Sequence, residues 1–261
     1  MPIPNRSPEA RQTELLGRIA RAGFMRVDEL AAAAGVSAIT VRRDLAALEK
    51  DGALRRTHGG ALGLGGEAAD IFDAQEPSFA ARRRRNGAAK AAIARAAMGL
   101  VGPGQSLAID TGSTTYEFAR ACGSLSGLTI VTNSARIAGL LADSGHAVYV
   151  PAGRIRPGEL SIHGAMAVEK VMTFSFDLCF IGVSGVAGDG FYDYSPEDTE
   201  LKRAFMARSA RAVALCDGSK FGHRALVKIA DLDAFSAIVC DRPPPAELAR
   251  AFAAAGLRVV A

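Results

Sequence analysis

An α/β architecture in two parts is what this sequence predicts: a small winged helix-turn-helix, then an open parallel sheet with helices on both faces. Three observations carry it. The front segment reads as helix, helix, turn, helix and strand. From residue 105 onward, short runs of continuous apolar residues alternate with helix-like stretches. Charge also divides the chain. Residues 1–58 hold ten Lys and Arg against seven Asp and Glu, residues 59–95 six against four, and residues 96–261 fifteen against sixteen. The excess of a chain with net charge +4 therefore sits in its first third, as expected of a basic module on a nearly neutral body.

Residues 7–22 (SPEARQTELLGRIARA) predict a helix. Ser7 can cap it, Pro8 suits the first turn, Glu9 lies where the dipole favours an acid, and Leu15, Leu16 and Ile19 form its apolar stripe. Gly23 ends it. A second, short helix is expected at 27–34, with Val27, Leu30, Ala31 and Ala34 on one face. Gly35 and Val36 break the chain, and Ser37 caps a third helix from about Ala38 to Lys50. There Val41, Leu45 and Leu48 recur at helical spacing. Gly52 stops it, ALRRT (53–57) reads as a strand and His58-Gly59-Gly60 as a turn. The domains expected are 1–58 for this module, a Gly- and Ala-rich linker over 59–78, and a second domain over 79–261. A helix carrying Arg82, Arg83, Arg84 and Arg85 is expected to run from about Phe79 to Gly99; that run can touch DNA backbone, pair with an acidic surface or be solvated, and the solvated reading is preferred.

Beyond it, QSLAID, LTIVT, AVYVPAG, LCFIGVSG, AVALCDG, AIVCD and LRVVA are strand-length apolar runs. TTYEFARAC, SARIAGLLADSG, SPEDTELKRAFMARSA and PPAELARAFAAAG are the intervening helices. Strands apolar throughout are buried on both faces, the mark of a parallel sheet in an α/β domain. Cys122, Cys179, Cys216 and Cys240 lie far apart with no CxxC, so neither a metal site nor a disulfide is expected. No apolar run suits a membrane span, and MPIPNRSPEARQ has no apolar core of the signal-peptide kind, so a cytoplasmic location is expected.

The third helix concentrates the chemistry of the front module. With Val41, Leu45 and Leu48 facing inward, Thr40, Arg42 and Arg43 point elsewhere, and Ser37 stands at the helix start. That end is the one a recognition helix puts into the major groove. Ser37 and Thr40 suit phosphates or base edges, and Arg42 and Arg43 can reach guanine edges or phosphates. Arg55 and Arg56 on the wing, with His58 near its tip, suit the backbone or minor groove. Asp44 is placed to pair with a neighbouring Arg. A solvated basic face is the alternative for any one of these residues, and the agreement of charge, capping, helix order and wing favours duplex DNA.

In the second half, Asp110 ends a strand and is followed by Thr111, Gly112, Ser113, Thr114 and Thr115 at a helix start, where unpaired N–H groups and the dipole attract anions. The segment lacks the Gly-Lys-Ser/Thr of a nucleotide-triphosphate loop, so a sugar phosphate fits better. Other strand ends supply Thr132, Asn133 and Ser134, then Gly153 and Arg154, Ser184 and Gly185, and Asp217 through Lys220; Glu197, Glu200 and Lys202 lie near the start of a later helix. Each alone reads as an ordinary helix cap. Repeated over separate strands, they predict one polar crevice at the carboxyl edge of the sheet.

VSAITVRRDLAALEKDGALRRTHGGA resembles the signature of the DeoR family of bacterial transcription regulators: a VS-x-x-TIRRDL helix, then L-x-x-x-G and a basic wing ending in GGA. Val41 stands for the usual Ile, and Ala38 and Ile39 occupy groove-facing positions that are commonly polar in that family. Lys90 with Ile93-Ala94, DTGSTT at 110–115, VTNS at 131–134, the Gly153 loop, IGVSG at 181–185 and DGSKFG at 217–222 are similar, in order, to that family's sensor domain. The resemblance spans roughly residues 7 to 241. It implies a C-terminal fold like ribose-5-phosphate isomerase, a phosphorylated sugar or related metabolite as effector, and a homo-oligomer, dimer or tetramer, on a double-stranded operator. It further implies repression relieved by ligand, with no cofactor.

The isomerase likeness raises an enzyme as the alternative, since GST at 112–114 and DGSK at 217–220 are also isomerase-like. Catalysis there needs a general base against a sugar C–H and an acid near the carbonyl. The isomerases carry a DGAD segment and a Lys-Gly-rich loop for this. Here GVSGVAGDGFYD offers only Asp189-Gly190, and no such loop occurs, so a binding site without catalysis is expected.

Overall fold

The computed structural model describes residues 7–22, 24–57, 59–63 and 76–261. The chain divides into two compact units, 1–70 and 71–261. The first holds helices Pro8–Ala22, Val27–Ala34 and Ala38–Lys50. Gly35 takes a left-handed φ of 66° as the second helix ends, and the Ser37 hydroxyl accepts the Thr40 N–H to start the third. Leu15, Ile19, Val27, Leu30, Val41, Leu45, Leu48, Leu54 and Ala61 form its core. All the core positions expected from the helical spacing of the third helix are there.

Two strands extend the wing beyond the sequence reading. Leu54–Thr57 pairs antiparallel with Gly60–Gly63, which pairs in turn with Phe24–Arg26. The expected linker at 59–78 is therefore corrected at its start: Gly60–Gly63 is the central strand of a three-stranded sheet. The reason is steric. A Cβ at Gly60 would lie 2.5 Å from the Met25 carbonyl oxygen, so only glycine lets the strands approach.

In the second unit seven parallel strands run in the order Arg258–Val260, Ala237–Val239, Ser209–Leu215, Phe176–Gly182, Ser106–Ile109, Thr129–Thr132, Ala147–Tyr149. Alternate residues feed two cores. Ala108, Val131, Cys179, Ile181 and Ala214 face one layer, and Leu107, Ile130, Leu178, Phe180 and Val213 the other. That burial on both faces is why the runs are apolar throughout. The order of strands reverses between Ser106–Ile109 and Phe176–Gly182, which makes their carboxyl ends the switch point of the sheet. A second sheet of Gly185–Ala187, Gly190–Asp193 and Val227–Ala230 is antiparallel and stands beside that edge.

The single helix expected from Phe79 to Gly99 is two: Phe79–Arg84 and Gly87–Met98. Asn86 between them adopts φ 55°, a left-handed conformation that Asn tolerates. Lys90, from the second helix, donates to the carbonyls of Arg82 and Arg85 and so satisfies the end of the first. Among the described residues no helix is long and apolar enough to cross a membrane.

Candidate functional site

The helix Ala38–Lys50 shows an exposed stripe of Ile39, Arg42, Arg43 and Ala46, spaced i, i+3, i+4 and i+7. Among the described residues neither arginine is ion-paired, so both guanidinium groups are available. Ser37 and Thr40 are bound to each other, hydroxyl to hydroxyl at 2.9 Å, which makes them first of all the helix cap. Asp44 departs from expectation. It is buried and takes Arg11 from the first helix at 2.5 and 3.1 Å, with Gln12 at 3.3 Å, rather than Arg42 or Arg43. It fastens the two helices together. Arg56 is held at 2.7 Å by Glu49, so its reach is set by that pair. Arg55 lies in the wing strand, and His58 lies outside the described residues.

The second unit carries a cleft of about 650 Å³ including its mouth. It lies at the switch point, between the loop Thr111–Thr114 and Gly182–Ser184. Gly112 turns the chain at φ 140°, and a Cβ there would press on Thr115 at 3.3 Å. The helix Ser113–Cys122 then begins with its amino end on the cleft. Of the expected residues, Thr111, Gly112, Ser113, Thr114, Ser184, Lys202, Asp217 and Lys220 line it together.

Other expected residues are supports or lie elsewhere. Asn133 is fully buried and its Oδ1 accepts the Thr111 N–H at 3.0 Å, fixing the loop from beneath. Thr132 accepts the Ser134 N–H at 3.1 Å, and Ser134 caps the helix Ala135–Leu141. Thr115 donates back to the Gly112 carbonyl at 3.0 Å. Gly153 is packed so that a Cβ would meet the His163 carbonyl oxygen at 2.6 Å, and Arg154 is exposed on a two-stranded ribbon. Gly185 belongs to the antiparallel sheet. Glu197 is exposed and accepts the Ser195 hydroxyl at 3.0 Å. None of these nine, with Asp110 below, lines the cleft, because a strand-end position does not say which way a side chain turns.

Asp110 lies beneath the loop, fully buried, bonded to Lys202 and accepting the Gly182 N–H at 3.2 Å. The Lys202 ammonium also meets Asp193 at 3.0 Å and donates to the Gly182 carbonyl at 3.0 Å. Burial pushes the Asp110 carboxyl up to about 7, against the pull of Lys202. Asp193 is buried too, but Lys202, the Ser184 hydroxyl and the Tyr194 N–H outweigh burial and hold it below its ordinary range. Lys202, set between carboxylates, is held cationic with its pKa raised despite burial.

The sequence reading did not nominate Glu76, Arg82, Arg85, Asn86, Lys90, Glu159, Asp193 or Asp198, all of which line the cleft, whereas Ser219, within the nominated run Asp217 through Lys220, does line it. By their contacts these residues fall into two groups. In one, Lys90 and Lys220 act on the carboxylate of Asp217, which accepts Asn86 at 3.0 Å and Ser219, and Arg85 is near enough to both lysines to lower them. In the other, Arg82 pairs with Glu76 at 3.0 Å and with Glu159, and Arg156 bridges Glu76 at 2.8 Å and Asp198 at 2.6 Å. The preferred reading of the run as solvated is thereby corrected for Arg82 and Arg83, which take the alternative, pairing with acids. The helical turn sends Arg82 inward to two acids, and Arg83 pairs with Glu117 and covers the Tyr116 ring at 4.9 Å.

Residues 85–242 match the DeoR C terminal sensor domain, and residues 11–64 the DeoR-like helix-turn-helix domain. The chain belongs to the DeoR family. This DeoR-family chain is 32% identical to the HTH-type transcriptional repressor CsqR of Escherichia coli (strain K12), over 91% of this chain and 89% of that one. It is 31% identical to the glycerol-3-phosphate regulon repressor of Haemophilus influenzae, over 85% of each. Ribose 5-phosphate isomerase A of Methanocaldococcus jannaschii shows a looser likeness, at 19% identity and a TM-score of 0.39, over 52% of this chain and 55% of that one. As a DeoR-family member with both halves matched and repressors for relatives, the chain is a DNA-binding transcription regulator rather than an enzyme.

One pH dependence follows for this DeoR-type cleft. Burial lowers Lys90 to about 8, with Lys220 and Arg82 adding to the effect and Asp217 opposing it. A bound anion stabilises the ammonium form, so binding takes up a proton near pH 8. Affinity for sulfate, which stays a dianion over this range, is expected to be full below about pH 8 and to decline as Lys90 deprotonates above it. Calorimetry in two buffers of different ionisation heat checks this. Equal heats in both at pH 8.5 would remove Lys90 from the site.

Proposed function

We propose that the chain is a repressor that grips duplex DNA through the helix Ala38–Lys50 and its wing, and lets go when a small phosphorylated sugar enters the cleft. The observation that carries this reading is the division of charge within the cleft. Arg85, Lys90 and Lys220 line this part of the cleft with one carboxylate, Asp217, which acts on the two lysines, beside the amino end of a ten-residue helix. Three cations against one acid suit a dianion such as a phosphate monoester. In the other group, Glu159 Oε1 and Asp198 Oδ1 are buried without a hydrogen-bond donor among the described residues. Buried acceptors of this kind call for donors, and sugar hydroxyls supply them. An anionic end and a hydroxylated end are what a phosphorylated sugar presents.

DNA recognition by such a module uses two copies on two half-sites, so a homo-oligomer of dimers or tetramers belongs to the proposal. A ligand that binds one arrangement better shifts the population towards it, and coupling of about 1–3 kcal/mol changes operator affinity about 5- to 150-fold. Thermal-shift screening of the full chain against a panel of sugar phosphates tests the reading. One compound should stabilise the second unit and release DNA, and Ser113→Ala with Thr114→Ala should blunt both effects. A full response in that double variant would move the ligand away from this cleft.

A further inference from the structure

The stripe on the helix Ala38–Lys50 holds one residue that neither folding nor phosphate binding accounts for. Ile39 is 76% exposed, the most exposed of the large apolar side chains among the described residues. It is the second residue of the helix, in the turn that leads into a groove, and it shares its face with Arg42 and Arg43 one turn on. A β-branched residue on an exposed helix surface lowers helix propensity, so the local structure gains nothing from it. Nor does it pack in the core of the unit, which Val41, Leu45 and Leu48 fill from the opposite face. What it has is a stiff side chain, fixed in direction by its branched Cβ and by the Ser37 cap two residues before it. Its neighbours settle the partner's charge: two exposed, unpaired guanidinium groups on the same stripe demand a polyanion. Within the major groove, the apolar feature of a base edge is the C5-methyl group of thymine, and the adjacent acceptors suited to arginine are those of guanine.

We infer that Ile39 is a specificity-determining residue that reads a thymine methyl group beside the guanines contacted by Arg42 or Arg43. The inference rests on the reading of this helix as the one that enters DNA, and adds a base identity to it. Ala46, one turn further on the stripe, leaves room for the groove wall rather than adding a second apolar contact.

The test uses the full chain and a duplex selected by it from a randomised pool. The selected half-site should contain a fixed thymine next to guanine. Replacing that thymine by uracil, which removes only the methyl group, should weaken wild-type binding about fourfold, the worth of one buried methyl. Ile39→Ala should bind the thymine duplex about as weakly and no longer distinguish it from the uracil one, whereas Ile39→Val should keep the preference. Since the side chain is exposed, neither variant disturbs folding. Equal wild-type affinity for the two duplexes, or selected sites with no fixed thymine, overturns the inference while leaving DNA binding intact. A pool from which nothing is selected overturns the DNA reading itself.

Discussion

Arg42→Ala combined with Arg43→Ala is expected to abolish operator binding at physiological salt and to leave the ligand titration of the cleft unchanged. Both side chains are exposed and unpaired among the described residues, so their loss does not cost the fold more than about 0.5 kcal/mol. A guanidinium bidentate on guanine contributes about 1–3 kcal/mol of discrimination, and two together about 2–6 kcal/mol, or at least about 30-fold in affinity. If either arginine rests on a phosphate instead, the slope of log affinity against log salt falls by about 0.9 for that contact. Fluorescence anisotropy with a selected duplex over a range of salt separates the two roles. Undiminished affinity would exclude this helix face from DNA. Arg56 should matter less than either, since Glu49 already holds it at 2.7 Å.

Lys202→Ala has the largest expected effect on stability. The sequence marks Lys202 as a ligand contact, yet its ammonium is 2% exposed and committed to Asp110 and Asp193. Removing one partner of a buried ionic cluster leaves the remainder uncompensated and costs about 3–5 kcal/mol. For a unit of this size, each kcal/mol corresponds to about 2–4 °C, so the melting temperature of the second unit should fall by roughly 6–20 °C. Adding Asp110→Asn and Asp193→Asn should recover part of the loss by removing the stranded charges. A Lys202→Ala protein with wild-type Tm and weakened ligand binding would instead make Lys202 a direct contact.

The architecture was legible wherever one residue pattern decides one element. Val41, Leu45 and Leu48 announce the helix that they bury, and the unbroken apolar runs announce a sheet covered on both faces. The loop Thr111–Thr114 was legible for a related reason, because a polar, Gly-containing segment between strand and helix has few other places to go. The rest of the cleft was not. Arg82 finds Glu159 from 77 residues away, and Asn86 finds Asp217 across 131. No local period reports such meetings. The chain break at Asn86-Gly87 could have been suspected, since that pair favours left-handed turns, and the break is what aims Arg82 and Lys90 at the cleft. Asp44 shows the converse error: its nearest arginines in sequence lie on its own helix, but burial chose Arg11.

The four cysteines of the second unit gain a use from where they lie. Cys122, Cys179, Cys216 and Cys240 are all buried, and burial pushes their thiols up, to about 12 for Cys122 and Cys179 and about 11 for Cys240. Alkylating reagents need an accessible thiolate, so in the folded body they meet none and react only as it opens. The labelling rate is thus an internal clock for that opening. Whatever compound occupies the cleft slows the clock by one plus its concentration over its Kd, which weighs its affinity with no DNA, dye or engineered probe present.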